Sequence, residues 1–485
     1  MSRIIAVRSK GIFEPQTLTK KLLHRMKHRG SKKSMIYNIN GTVLGQIFFP
    51  LEKPVDFNKS FAVVVSANIY NRNWQGYALQ KYMQKLYKFH GEDMVYKIDG
   101  SFAFVVADGN KIFAARDPLG LKPLYYINSE DLLIFASEIK ALVGLGLDIK
   151  AFPPGYFYSS EKGFVKYHDL PIPTVPDNCI SEEDAAKKVK EKLCKAIEMS
   201  CNNCDKLGVY LSGGLDSSII AAAAKELSSN LETFSVGTSS STDLPKARKV
   251  ADHIGSTHYE YIYSLEEMLE LLPQVIYHLE SFDMYLVRSA IANYMLSRMA
   301  HEAGIKLVLC GEGSDELFAG YDYLKGLEPS KINDELVRLT VSGCSNGFQR
   351  VDRMTSAFSI DGRMPFLNSE VRKLAFSIPV KWKIYKKGHQ KVEKWILRKA
   401  FEGDLPNEII WRKKEKFFQG AGSAKMLSDY AEQHISDYEF LQNRLLRSNF
   451  ALRSKEELLY YKIFREFFPD NTLLDTIGRT LTMSS

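Results

Sequence analysis

The sequence predicts two domains of different class. Residues 1–175 read as an α+β domain of layered sheets and helices; residues 176–485 read as an α/β domain with a parallel sheet, ending in a helical region. Three observations carry this. The first 170 residues hold short β-rich runs separated by turn signals. LPIPTVPD (170–177) is a proline-rich break. Beyond it strands alternate with apolar-periodic helices, which argues for parallel strands with helices on both faces. At 485 residues the chain also exceeds a single core.

In order along the first domain, helical patterns fall near 15–27 and 75–89, and SFAVVVSANIY (60–70) is strand-like. SFAFVVA and KIFAA are joined by Asp108-Gly109-Asn110, a hairpin turn. LYYI (124–127) and LLIFAS (132–137) flank another short turn. In the second domain the strands are LGVYL (207–211), ETFSVG (232–237), HYEYIY (258–263) and IKLVLC (305–310). Helices are expected near 217–228, 243–254, 265–278 and 288–303, and from about 330 the chain reads mostly helical.

Composition narrows the function. The net charge of +8 is mild and spread along the chain, and its one basic cluster, KKLLHRMKHRGSKK (20–33), reads as a solvated helix face rather than a nucleic-acid surface. No apolar run approaches a membrane span, and no secretory signal is visible, so a cytoplasmic location is expected. Six cysteines form no disulfide framework. Cys201 and Cys204 make a lone CxxC without the second pair a zinc site needs.

The chemistry sits in two loops. LGVYL runs into SGGLDSS (212–218), which opens a helix. Gly213 and Gly214 permit a sharp turn and close backbone approach, and the turn aims N–H groups and a helix N-terminus at one point, an anion site. Ser212, Ser217 and Ser218 add hydroxyls. The Walker spacing and its lysine are absent, so this is a different phosphate loop. IKLVLC leads into GEGSDELFAGY (311–321), where Glu312, Asp315 and Glu316 bring carboxylates towards the phosphate loop. Both loops leave carboxyl ends of parallel strands, where ligands bind in open α/β sheets. Acids beside phosphates imply Mg²⁺.

SGGLDSS, FSVG (234–237), GEGSDELFAGY, GRMPFL (362–367) and WRKKEKF (411–417) resemble the synthetase domain of glutamine-hydrolysing asparagine synthetases, as do DLPKARKVADHIG (243–255) and VIYHLESFD (275–283). HRG (28–30), IYN (69–71), ARDPLGLKPLYY (115–126) and ASEIKAL (136–142) resemble their glutaminase domain. The resemblance implies an Ntn-type αββα sandwich followed by a parallel-sheet domain of the PP-loop ATP pyrophosphatase type. It also implies a two-step ligase reaction. ATP adenylates the side-chain carboxylate of aspartate, pyrophosphate leaves, and ammonia converts the adenylate to asparagine and AMP.

By the same resemblance, Ser212, Gly213, Gly214, Asp216 and Ser217 would hold pyrophosphate, and Asp216 and Asp315 would hold Mg²⁺. Leu211, Val236, Cys310 and Gly311 would line the ATP site. Glu312 would form or use the adenylate, Lys414 would stabilise developing phosphate charge, and Arg288 would pair with a substrate carboxylate. Tyr285 and Leu286 stand where these enzymes have a Thr-Thr pair near the substrate. Glu312 separates the chain from β-lactam synthetases, the alternative ligase class, which have tyrosine there.

The amino terminus departs furthest. The family's nucleophile is a cysteine after the initiator Met, with its own amine as base. Here that position is Ser2. The family's Asn-Gly-Glu-Ile-Tyr-Asn reads Ser66-Ala67-Asn68-Ile69-Tyr70-Asn71, the expected strand arginine is missing from GQIFFP (45–50), and the expected aspartate is missing at Gln75-Gly76-Tyr77. The expectation is a domain that keeps its fold but not glutamine hydrolysis, with ammonia taken free or from a separate source. A homodimer is compatible with this reading, and no nucleic acid or membrane partner is expected.

Overall fold

Alternating apolar runs in the first half build two antiparallel sheets. The computed structural model describes residues 2–11, 13–27, 33–50, 52–71, 78–168, 177, 179–201, 206–343, 347–388, 390–414 and 420–480. One sheet holds β1 (Arg3–Ser9), β2 (Ser34–Ile39), β3 (Thr42–Ile47), β7 (Tyr125–Asn128), β8 (Leu132–Ala136) and β9 (Lys150–Ala151), in the order β2-β3-β1-β8-β7-β9. The other holds β4 (Phe61–Ile69), β5 (Gly100–Asp108), β6 (Lys111–Arg116), β10 (Tyr156–Ser159) and β11 (Gly163–Lys166), in the order β11-β10-β6-β5-β4. Ile4, Ala6 and Leu44 of the first pack on Val64, Val105 and Ala114 of the second. The helix Leu79–His90 covers the far face of the second sheet through Tyr82 and Met83, and the helix Pro15–Arg25 covers the first through Leu18 and Leu22. The result is the expected αββα sandwich.

The hairpin at Asp108-Gly109-Asn110 forms between β5 and β6, with Gly109 at φ 54°. A second hairpin, between β2 and β3, was not among the expected elements. Its two-residue turn is Asn40-Gly41, at φ 47° and 82°, the left-handed pair that joins antiparallel strands without splaying them.

In the second half β12 (Leu207–Tyr210), β13 (Leu231–Gly237), β14 (Thr257–Ile262), β15 (Leu307–Leu309) and β16 (Asp361–Arg363) form a parallel sheet in the order β14-β13-β12-β15-β16. The first four match expected strands. The fifth overlaps GRMPFL and is too short to show periodicity. The helix Met284–Glu302 begins four residues before the expected 288, because Asp283 caps it by accepting from Tyr285 N (3.1 Å) and Leu286 N (3.0 Å). Beyond residue 363 the described chain is mainly helical, with two small hairpins, Ile384–Lys387 with Gln390–Glu393 and Leu445–Arg447 with Phe450–Ala451. The proline-rich break at 170–176, HRG at 28–30, Gln75 to Tyr77, Cys204 and Glu415 to Phe417 lie outside the described residues.

The two halves share a core. Leu119, Tyr125, Ile139 and Leu142 join Leu272, Ile276, Leu279 and Met354 in one apolar cluster. A buried ionic junction accompanies it. Glu280, at φ 56°, ends the helix Leu265–Leu279, and its carboxylate accepts from Ile139 N (3.0 Å) and Lys140 N (2.8 Å). The same carboxylate pairs with Lys140 Nζ (3.1 Å) and Arg353 Nη1 (3.0 Å). Glu138 holds Arg3 (2.6 Å) and the other side of Lys140 (3.0 Å). Lys122 reaches Asp352 at 2.9 Å, and Asn68 Nδ2 donates to Asp361 at 3.1 Å.

Two outcomes follow from these buried charges. Glu280→Ala strips both cations of a shared partner and should destabilise the chain by about 3–5 kcal/mol, read from the denaturant midpoint. Lys383 is fully buried with Asn333 Oδ1 at 3.1 Å, and burial pushes its amine down to about 7. Between about pH 7 and the ordinary lysine value the unfolded chain then binds the extra proton. Lys383 should therefore make stability rise with pH there, by up to about 1.4 kcal/mol per unit. Comparing denaturant midpoints across that window, Lys383→Met should flatten this part of the slope.

Candidate active site

The SGGLDSS loop leaves β12, and the GEGSDELFAGY loop leaves its neighbour β15, so both open at the carboxyl edge of the sheet. Gly213 stands at φ 66°, and a Cβ there would lie 2.5 Å from Ala247 N, so only glycine lets the turn press on the helix Leu244–Ile254. The loop is tied internally: Ser217 Oγ accepts from Ser212 N at 3.1 Å and lies 3.0 Å from Ser212 Oγ, and Ser218 Oγ donates to Gly214 O at 2.7 Å. The two loops meet where Ser314 Oγ donates to Asp216 Oδ1 at 2.8 Å.

At that meeting point two carboxylates face two ammoniums. Lys394 Nζ lies 2.7 and 2.6 Å from the two oxygens of Asp216 and 2.5 Å from Asp315. Lys414 Nζ lies 2.9 Å from Asp315 and 3.4 Å from Asp216. Burial alone would raise the Asp315 carboxyl, but Lys394 and Lys414 outweigh it and hold the group below the usual carboxylate range. Burial likewise opposes the charge on Lys414, and Asp315 and Asp216 outweigh it, so its pKa rises. Glu316, next in line, is pushed up to about 7 by burial and by the charge of Asp315, and accepts from Tyr321 Oη at 2.6 Å. Gly320 makes room for the pair: a Cβ there would sit 1.9 Å from Asp315 and 2.2 Å from Lys394.

These groups line a cleft of about 1160 Å³. Leu211, Ser212, Gly214, Asp216, Ser217, Val236, Gly311, Glu312, Asp315 and Lys414 are all at its wall; Gly213, Cys310 and Arg288 are not among its lining residues. Burial pushes the Cys310 thiol well up, away from any reactive role. Glu312 accepts from Arg350 Nη2 at 2.9 Å, and Arg350 Nε donates to Asn293 Oδ1 at 2.7 Å. Arg288, expected at a substrate carboxylate, is a fork on Glu456, with Nε at 2.8 Å, and Tyr460 Oη donates to the same carboxylate at 2.7 Å. Tyr285 and Leu286 do line the cleft.

Lys394 is the residue sequence reasoning missed. It sits at φ 53° before the helix Trp395–Ala400, at the end of the lysine-rich stretch 381–394, and neither its conformation nor its neighbours mark it in the sequence. Arg412 closes the floor, with Nη2 2.6 Å from Asp243 and Nη1 donating to Gly213 O at 3.1 Å.

Comparison with known proteins agrees with this layout. The asparagine synthase family profile matches residues 188–340 and 326–480, and a glutamine amidotransferase domain profile matches 52–144. An amidotransferase-type sandwich joined to a nucleotide cleft of this kind defines an ATP-dependent carbon–nitrogen ligase. The chain is 32% identical to asparagine synthetase [glutamine-hydrolyzing] 2 of Arabidopsis thaliana, over 94% of this chain and 85% of that one. It is 31% identical to a probable asparagine synthetase of Dictyostelium discoideum, over 99% and 96%. With the probable asparagine synthetase of Schizosaccharomyces pombe the identity is 37%, over 81% and 76%. The chain belongs to the asparagine synthetase family.

The paired charges make a stability test. Lys394→Met leaves two part-buried carboxylates on one ammonium and should cost up to about 3 kcal/mol in chemical denaturation. In an Asp315→Asn background the same substitution should cost less, the mark of a direct pair.

Proposed function

We propose that the chain makes asparagine from aspartate, ATP and ammonia, and does not draw that ammonia from glutamine in its own first domain. A carboxylate oxygen of aspartate attacks the α-phosphorus of ATP. The bond to the bridging oxygen breaks, and pyrophosphate leaves with the electron pair. Ammonia then attacks the acyl carbon, AMP departs, and one proton is lost. The amides and hydroxyls of Ser212, Gly213, Gly214 and Ser217 receive the pyrophosphate, with Lys414 and Lys394 supplying cations beside them. Leu211, Val236 and Gly311 form the nucleotide wall, without Cys310, which is buried away from the cleft lining. Glu312, fixed by Arg350, faces the reacting carboxylate. Arg288, while bonded to Glu456, would meet a substrate carboxylate only by exchanging partners.

Asp216 and Asp315 are hard oxygen donors at the meeting of the two loops, a set that suits Mg²⁺. They would hold it there, and the ion would neutralise charge on the phosphates.

The observation that carries the nitrogen source is at Ser2. Its hydroxyl donates to Glu52, a carboxyl that desolvation pushes up to about 7, and accepts from Phe49 N at 3.1 Å. None of the six cysteines lies within residues 1–175. Asn68, which stands where the family has the glutamate of its Asn-Gly-Glu segment, gives its amide to Asp361 across the domain boundary. Loss of a single oxyanion donor costs about 10²–10³ in rate, and here nucleophile and glutamine clamp are replaced together.

The test measures AMP, pyrophosphate and asparagine from purified chain with ATP, Mg²⁺ and aspartate. Product with ammonium and at least about 10²-fold less with glutamine is expected. Equal rates with glutamine would overturn the reading of Ser2, and no aspartate-dependent AMP would overturn aspartate as the acid.

A further inference from the structure

The last described residues, 476–480, lie across both domains and reach the cleft. Thr476 Oγ1 donates to Ile149 O at 2.7 Å, in the first domain. Arg479 forks onto Glu457 at 2.9 and 2.8 Å and lies over the Phe450 ring at 4.4 Å. Thr480 is gripped at every polar atom. Its N–H donates to Asp283 Oδ2 at 2.9 Å, its hydroxyl lies 3.0 and 2.9 Å from the two Asp283 oxygens, and its carbonyl accepts from Arg453 Nη2 at 2.7 Å. Arg453 Nη1 bonds Asp283 (3.0 Å) and Thr480 Oγ1 (3.1 Å) as well.

Asp283 is the same buried carboxylate that caps the helix Met284–Glu302 through Tyr285 N and Leu286 N. One side chain therefore fixes both Thr480 and the two residues that depart from the family's Thr-Thr pair. Thr480, Tyr285, Leu286 and Ser289 all line the cleft that holds Asp216 and Glu312. With its N–H, carbonyl and hydroxyl committed, Thr480 has only its methyl group left to offer a ligand. Tyr285 and Leu286 are both bulkier than threonine, and Leu286 has no hydroxyl. This end of the cleft is a wall built from two distant segments, to which Thr480 adds a methyl group and Leu286 an apolar side chain.

We propose that residues 476–480 are a strap that holds Thr480 in the wall of the acid-substrate pocket, and that Thr480 with Tyr285 and Leu286 sets how large a carboxylic acid is accepted. This rests on the adenylating activity proposed above, not on aspartate being the acid. A structural strap would affect stability alone; a pocket wall affects acid affinity and acid choice.

The experiment is acid-dependent exchange of labelled pyrophosphate into ATP by the full chain, over a panel of amino dicarboxylic acids of increasing length. Arg453→Leu loosens the strap. Thr480→Ser keeps its hydroxyl grip and removes only the methyl. Both should raise KM for the parent's preferred acid, Arg453→Leu by about tenfold or more, and shift the panel towards longer acids. KM for ATP should stay within about twofold. Unchanged acid KM and preference, or an ATP KM that rises in step, would overturn the strap as a pocket wall. If Arg453→Leu does not fold, Thr480→Ser decides alone. A parent that activates glutamate rather than aspartate corrects the acid and leaves the strap testable on glutamate; a parent that activates no acid sinks the adenylation reading and the pocket with it.

Discussion

The carboxylate of Glu280 is the point on which the arrangement of the chain depends. Burying a charge is costly unless partners replace its water, and Glu280 has four: two backbone amides of residues 139 and 140, the Lys140 ammonium and the Arg353 guanidinium. Three of these donors come from the first domain or its edge, and the fourth from a helix of the second. Glu280 also ends one helix in a left-handed turn, three residues before Asp283 starts the next. That second helix carries Tyr285, Leu286, Ser289 and Asn293 to the cleft. Domain docking and the position of one cleft wall are thus fixed by the same few atoms.

The opposite wall obeys a different constraint, charge balance in a confined space. Asp216 and Asp315 arrive from two loops, and Lys394 and Lys414 from two segments about 180 and 200 residues further along than Asp216. No two of the four are close in sequence. Each cation touches both anions, so the two loops are held together without a direct backbone bond between the carboxylates. Gly320 and Gly311 contribute by what they lack: a side chain at the first would strike Asp315, and one at the second would crowd the Ser217 amide at 3.1 Å.

Much of this was legible because local chemistry announced it. The strand-to-loop-to-helix signature of SGGLDSS, and the acids after β15, carry their own geometry, since the residues that make the anion site also make the turn. The layered α+β class followed from turn residues and alternation, and the αββα order from the family resemblance. What stayed hidden was of three kinds. Asn40-Gly41 is a strong turn signal, but the run before it, SMIYNI, lacks a clean apolar–polar alternation, so the hairpin shows only where β2 pairs with β3. β16 is three residues long, and sheet pairing rather than periodicity makes it a strand. Lys394 and the Arg288–Glu456 fork are products of tertiary placement: one lysine among several, and an ion pair spanning 168 positions, leave no trace at the level of spacing.

The shared core of the two halves has a consequence for how such a gene can change. Mutation can erase chemistry at Ser2 one residue at a time, since that hydroxyl bonds Glu52 and the Phe49 amide and takes no part in the shared apolar core. Deleting the module is another matter. A shortened reading frame without residues 1–175 would bare Leu272, Ile276 and Leu279 to water and leave Arg353 without a fully anchored counter-ion. Point substitution is tolerated where excision is not, so a lineage that ceased to need the first domain's reaction would still inherit its scaffold.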